Sequence, residues 1–500
     1  VESQIAKYSY IMMFALVAGS IFSYLYQVVT GILLPRWEYG VLGVALSVFY
    51  IASVLTQNTF SWTGTRRMSI AEKDEIAVLL RTTTAGNFIL AIIASIFVLW
   101  FSRTSTTYFV PLMLVCVTLL LAALQNSYAS LYRALRMFPQ LAAAGISNAA
   151  IKFFSAVLLI YIGLGATGGI LALVLSVLAV LAYFAYLNRK IALPKAKGFA
   201  LDMIPETIPV SLVFIGITAL INVSILLLRY YIGSDVVAGI YNAALTIARA
   251  PFFITSVIVT VLFPYISSKG EASEQYAFQS IKYIILFVFP VCISMAVDPE
   301  AWLNFFFLKK YIEGATSLRF LGLGMGFVSI SLAISSAFVA FERSNFPAVV
   351  LTFAAIFQGL LIAAFQTHDL ATISSFSVTV SSLFAAVVLL AGYAKNFYFK
   401  ATPRHGIKLI ACYVLLSLVF VAIPLDGRIL SLIEITLAFF IYWIFLCFLN
   451  LFDERDVEVL LSPFPNGVQA GVKRIVASIN KRGSNLYQKS TEIFLKSKRS

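Results

Sequence analysis

Fourteen apolar runs, each long enough to cross a bilayer, follow one another along this chain, and nothing else in the sequence restricts its fold as strongly. They lie near 9–33, 40–60, 82–101, 108–131, 141–162, 166–187, 207–231, 237–264, 281–297, 315–341, 346–366, 371–393, 407–424 and 429–450. Roughly 20 apolar residues in helical form match the hydrocarbon thickness of a membrane. A soluble domain is about 45–50% apolar and about 25% charged. Here 61% of 500 residues are hydrophobic and 12% are charged, with a mean hydropathy of +0.94. The expected fold class is an all-α integral membrane protein with about 14 transmembrane helices. The first run follows Lys7 without a small-residue cleavage site, so it reads as a retained helix rather than a signal peptide.

The net charge of +14 reports topology, not nucleic-acid binding. With the N-terminus inside, Lys7, the loops 61–81, 132–139, 188–206, 266–282, 342–345 and 395–408, and the tail hold 27 of the 36 Lys and Arg residues. The outer side holds seven: Arg36, Arg103, Arg229, Lys309, Lys310, Arg319 and Arg428. That asymmetry places both termini in the cytoplasm and the basic segments against anionic membrane lipids. Cys116, Cys292, Cys412 and Cys447 fall inside apolar runs with no paired spacing, and read as buried small hydrophobes. His368 and His405 sit at loop edges and form no ligand set, so no metal or cofactor is expected.

The chain repeats itself. "LPRWEYGVLGVALSVFY" (34–50) and "IGSDVVAGIYNAALTIA" (232–248) each close a hairpin and open the next span. Aligning Gly40 with Gly239 aligns Ala45 with Ala244 and Leu46 with Leu245. Further on, Phe138-Pro139 matches Phe346-Pro347 in the same orientation. Six spans separate the echoes, an even number, so the repeats are parallel and related by a pseudo-twofold axis along the membrane normal. The expected domains are two six-helix bundles, 1–190 and 200–395, two accessory helices within 405–450, and a basic amphipathic tail, 451–500. In the tail, Val468, Val472, Ile475, Val476 and Ile479 oppose Lys473, Arg474 and Lys481 along the inner membrane face.

Charges inside the spans are few. Arg249 is the one charge between Val236 and Ser268, about 17 Å along its helix from the outer end. A cation near mid-bilayer costs about 2.5–3.5 kcal/mol on insertion scales. It either lines a cavity or pairs internally with Glu434 or with carbonyls. Pro251, just beyond, is a candidate hinge. Lys152 is the second deep cation, with Asn148 one turn before it; it faces a cavity or snorkels inward. Arg229 reads as an interfacial anchor, and Arg319 as an anchor or part of the outer mouth. Tyr24, Gln27, Gln57, Asn58, Asn126, Asn222 and Asn242 add uncharged polarity within the spans. Surplus buried cations suit an anion, since Arg offers bidentate contacts to phosphate and Lys a point charge.

"PRWEYGVLGVALSV", "GIYNAALTIARAPFFITSVIVTVLFPYISS" and "SLRFLGLGMGFVSISLAISSAFVAFERSNFP" carry a family likeness over some nine-tenths of the chain. The chain resembles polysaccharide flippases of the O-antigen translocase type, within the multidrug/oligosaccharidyl-lipid/polysaccharide exporter superfamily. Its tail from "DERDVEVL" is most like archaeal members. The resemblance implies a prokaryotic cell-membrane transporter that works by alternating access between two similar halves and is not an enzyme. Its substrate would be a polyprenyl-(pyro)phosphate-linked saccharide, moved from the cytoplasmic to the outer leaflet by a monomer, with glycan assembly enzymes as partners. The family's arginine in this helix often stands at the place of Thr246, one turn from Arg249. Arg249 and Lys152 are then the phosphate ligands, with Asn148, Asn242, Arg319, Tyr24 and Gln27 around the substrate and Glu434 as a coupling or charge partner.

Two rival readings remain open at this stage. A cation-coupled multidrug exporter of the same superfamily would rely on intramembrane carboxylates, of which Glu434 is the one deep example. A polytopic glycosyltransferase or polymerase would need outward acids, and the loop 297–317 offers Asp298, Glu300 and Glu313. That loop otherwise reads as a short interfacial helix with Trp302 at the headgroup level.

Overall fold

Every long apolar run folds as a helix, because a bilayer leaves backbone amides no partner but the chain itself. The computed structural model describes all residues except 1, 58, 103–105, 190–197, 268–272, 367–368, 398–402, 423–426, 453–455, 458–468 and 482–500. The helices in order are α1 (Glu2–Leu33), α2 (Arg36–Gln57), α3 (Phe60–Met68), α4 (Lys73–Ser102), α5 (Thr106–Ala134) and α6 (Phe138–Leu159). They continue with α7 (Gly165–Asn188), α8 (Ile204–Ile232), α9 (Asp235–Ala248), α10 (Ala250–Ser267), α11 (Ser273–Tyr283) and α12 (Phe289–Val297). The series ends with α13 (Pro299–Phe307), α14 (Ala315–Ala340), α15 (Asn345–Ala364), α16 (Leu370–Asn396), α17 (Pro403–Ala422) and α18 (Arg428–Phe448).

Thirteen segments of the described residues are long and apolar enough to cross a membrane. The longest, Phe138–Asn188, contains both α6 and α7, so fourteen helical crossings result and the chain is a multi-pass membrane protein. The turn between α6 and α7 needs left-handed backbone, which Gly163 (φ 92°) and Gly165 (φ 53°) supply. Glu38 caps the new helix by accepting the Ala166 amide at 2.8 Å. Lipid-facing stripes follow helical spacing: on α1, Phe14, Val17, Ile21 and Leu25 are all exposed.

The two parts of the chain pack by one scheme. α1 pairs with α6, α5 with α7, and α2 with α5; correspondingly α8 pairs with α15, α14 with α16, and α10 with α14. α17 and α18 pair with each other and dock on α12 and α13. We call the face where α1 begins the near face and the face where it ends the far face; α18 also ends on the near face.

The parts meet along α2 and α9, at the glycines that the repeat equates. A Cβ on Gly40 would lie 2.0 Å from the Asp235 carbonyl oxygen, and one on Gly239 would lie 1.9 Å from that of Arg36. Helices cannot approach this closely with any larger residue, the small-residue packing that membrane helices use in place of a hydrophobic driving force. The pseudo-twofold axis passes here. On the far face beside it, Arg36 pairs with Glu313 at 3.0 Å, and at the equivalent position Asp235 accepts from both Arg229 and Tyr108. Lys310 donates to the carbonyls of Gly31 and Ile32 at 3.0 Å and to that of Leu34, capping α1 where its dipole is negative.

Several expectations need correction. The loop 61–81 contains α3, because its Ser61, Thr63 and Met68 find buried packing positions. The span expected at 281–297 starts at Ser273 and carries a π-helical segment, Ile284–Val288. α13 is indeed a short helix, N-capped by Asp298. Its Trp302 is only 8% exposed, stacked on Phe306, and not at a headgroup surface. Arg229 is an ion-pair partner as well as an interfacial residue. In the tail a helix covers 469–481, with Val472, Val476 and Ile479 packed on the bundle; Ile475, expected on the same face, is 61% exposed. The rest of the tail from 458 to 468 and from 482, with Asn58 and His368, lies outside the described residues.

Candidate functional site: a cationic cavity between the halves

The break between α9 and α10 builds the site. Pro251 has no amide to offer the Ile247 carbonyl, so the helix interrupts for one residue, Arg249. The Arg249 carbonyl then takes both following free amides, Phe252 at 3.1 Å and Phe253 at 3.3 Å. The side chain at this break enters a cavity of about 800 Å³ between the two parts.

Arg249 is 6% exposed, yet its partners are neutral. Nη2 donates to Asn222 Oδ1 at 2.6 Å and Nη1 to Gln27 Oε1 at 3.4 Å, and the guanidinium lies over the Tyr50 ring at 5.7 Å. Asn222 is aimed by its own bond, Nδ2 to the Thr218 carbonyl at 2.8 Å. A guanidinium carries five N–H donors, and two are used here. Among the described residues no carboxylate lies within ion-pair distance of Arg249 or Lys152. Burying a cation against amides alone leaves most of its desolvation uncompensated, so the site is poised to accept an anion.

Lys152 enters the same cavity from α6. Its Nζ donates to Ser23 Oγ at 3.2 Å and lies 5.2 Å from the centre of the Tyr26 ring. Tyr26 is fixed in turn by its hydroxyl bond to the Gly169 carbonyl at 2.9 Å. Ser23, Tyr26 and Gln27 share one face of α1, so both cations meet α1 on the side that faces the cavity. Around them the lining offers Gln57, Gln125, Asn126 and Asn148, and no Asp or Glu. The near-face floor is aromatic: Trp62 with Phe214 and Phe263. Such a cavity can hold one or two phosphates at the cations and sugar hydroxyls at the amides. A carboxylate-based cation exchanger would need acids that the lining lacks.

Of the residues singled out in the sequence, the cavity thus gathers Arg249, Lys152, Asn148 and Gln27, with Gln57, Asn126 and Asn222. Pro251 shapes it from the backbone. Asn242 does not line it: buried in the seam against Gly43, it donates to the Tyr39 carbonyl at 3.2 Å. Tyr24 is not in the lining either; its ring packs on Phe306 and on the lining residue Phe253. Arg319 is exposed on α14. Glu434 is buried on α18, which packs on α13 and α17, and does not pair with Arg249. Of the loop acids, Asp298 caps α13 and Glu313 holds Arg36, structural uses for both. Asn222 and Tyr50, the direct partners of Arg249, were not distinguishable by sequence from other in-span polar residues.

Comparison with known proteins follows the same lines. A family model described as polysaccharide biosynthesis protein matches residues 5–269. The chain is similar in fold to the lipid II flippase MurJ in an inward closed conformation, with 14% identity, 86% of this chain and 97% of that chain covered, and a TM-score of 0.65. It is also similar to a multidrug resistance MATE family transporter of the MOP superfamily in an inward-facing conformation, 14% identical over 77% and 98% of the two chains, TM-score 0.59. A MOP superfamily transporter from Pyrococcus furiosus, described by the reverse polarity of its binding pocket, matches at 14% identity over 78% and 95%, TM-score 0.55. No curated protein matches the sequence.

Proposed function

We propose, since the chain belongs to the polysaccharide biosynthesis protein family, that it is a flippase of the O-antigen translocase type. It moves a polyprenyl-(pyro)phosphate-linked saccharide across the cytoplasmic membrane of a prokaryote and catalyses no reaction. One observation carries this reading: a buried arginine and a half-buried lysine, both with unused donors, share a cavity that no carboxylate lines among the described residues. The phosphate sits between Arg249 and Lys152, where a low dielectric strengthens charge-assisted bonds. The saccharide meets Asn126, Asn148, Gln57 and Gln125, and the prenyl chain stays in lipid.

The excess of Lys and Arg on the near face supports reading that face as cytoplasmic. Transport is alternating access, with 1–190 and 200–395 rocking about the Gly40–Gly239 seam, 405–450 as accessory helices and 451–500 resting on anionic lipid. The protein acts as a monomer beside glycan assembly enzymes.

The test is flipping of a radiolabelled polyprenyl-diphosphate saccharide in proteoliposomes, read with a membrane-impermeant glycosidase. Wild type is expected to move the lipid and Arg249→Gln to lose at least about tenfold in rate, the scale of one buried charged hydrogen bond. Wild-type protein that moves no such lipid, across several saccharides, refutes the assignment.

A further inference from the structure

A separate element, α3, crosses the near end of the cavity. The backbone leaves helical geometry at Thr59 (φ −76°, ψ −100°) and resumes at Phe60. Trp62 of this helix forms the cavity floor, edge-on to Phe263 at 5.2 Å and tilted against Phe214 at 6.5 Å. At the next residue, Thr207 Oγ1 donates to Thr63 Oγ1 at 3.0 Å. At its end stand two adjacent arginines. Arg66 Nη2 pairs with Glu342 at 2.8 Å; Arg67 Nη2 pairs with Glu206 at 2.7 Å and Nη1 pairs with Asp202. Every one of these partners belongs to the second half of the chain, so α3 bolts the two halves together beneath the cavity.

The chemistry of the bolt is the chemistry of the cargo. Arg66 holds one carboxylate and Arg67 two; guanidinium groups that hold carboxylates also hold phosphates, through short, bidentate bonds to a group of higher charge. The Arg66–Glu342 pair is solvent-exposed on both sides, at 61% and 50%, so it is weak and readily exchanged, whereas Arg67, at 24% exposure between two acids, is held more firmly. We propose that Arg66 and Arg67 are the first binding site for the diphosphate head group, which displaces Asp202, Glu206 and Glu342 and thereby frees α3 to admit it. Exchange couples recognition to opening: the closed state is held by the same two cations that the ligand claims. Neutral or cationic lipids cannot compete for them, so the floor stays shut. The inference rests on the flippase reading but concerns a different place, the near-face end of α3 and not Arg249.

The experiment places spin labels at Ile70 and Asn345, both exposed, on the full chain in lipid nanodiscs, and titrates farnesyl diphosphate or inorganic diphosphate. Farnesyl diphosphate is expected to lengthen the label distance in wild type, at lower concentration than inorganic diphosphate. Glu206→Gln with Glu342→Gln leaves Asp202 as the remaining competitor, so the floor is partly open without ligand and full opening comes at a lower concentration, by up to about fivefold for each pair removed. Arg66→Gln with Arg67→Gln leaves a floor that is open without ligand and does not respond. Arg249→Gln keeps the floor response while losing transport.

A normal response in the double arginine variant, or unchanged affinity in the double acid variant, overturns the entry site and leaves the flippase reading standing. Equal response to inorganic diphosphate overturns the lipid as its ligand. No response to either probe in wild type overturns both.

Discussion

At the residue scale, Arg249 shows how a buried charge is kept ready without being neutralised. Its two acceptors are amide oxygens, which orient the guanidinium without cancelling it. Asn222→Leu removes the closer acceptor at nearly constant volume and should lower thermal stability in detergent by about 1–3 kcal/mol, the cost of leaving a buried donor unsatisfied. A melting temperature equal to wild type would show that Arg249 takes its partner elsewhere. Arg249 and Lys152 were legible in the sequence because a cation inside an apolar run stands out by itself. Their partners were not. Asn222, Asn242, Gln27 and Tyr24 look alike in a helix that is apolar on every side, where spacing does not say which face meets lipid, seam or cavity.

At the scale of elements, the seam makes the strictest demand. Gly40 and Gly239 occupy equivalent places in the repeat, and each would drive a Cβ into the other helix's carbonyl. Gly40→Ala and Gly239→Ala should therefore act alike, parting α2 from α9 at the far face and costing about 1–3 kcal/mol each as overpacking. A cysteine at Ser47, buried in α2, would report the parting as new reactivity toward a membrane-impermeant thiol reagent from the far side. If one of the two alanines were tolerated and the other not, the symmetric seam would be wrong. The alignment of these glycines was visible in the sequence, since a close helix approach admits nothing else. The break at Thr59 was not: "QNTFSWTGTRR" reads as a polar loop, and α3 exists because its Trp62 and arginines find partners on α8, α10 and the loop after α14.

At the scale of the molecule, the two halves are tied together at both faces. Far-face ion pairs and the glycine seam join them at one end, and α3 joins them at the other, with the cations in the cavity between. On the proposed flippase reading, transport breaks one set at a time. The near-face Arg66–Glu342 pair is exposed and weak, whereas the glycine seam is a close-packed contact; entry from the near face is therefore the easier motion. Fourteen crossings and the parallel repeat were readable from hydropathy and two short echoes, because lipid forces long helices and duplication preserves their order. The chamber itself depends on which helix faces meet, which only the assembled bundle specifies.

The most direct measurement is calorimetric titration of a short-chain prenyl-diphosphate saccharide into the nanodisc-embedded protein, wild type beside Arg249→Gln and Lys152→Gln. If these two cations hold the phosphate, each substitution should raise Kd by about 10- to 100-fold, the range for charge-assisted hydrogen bonds, while the melting temperature stays at or above that of wild type. Unchanged affinity in both variants, in protein that is folded, would contradict the account at its centre.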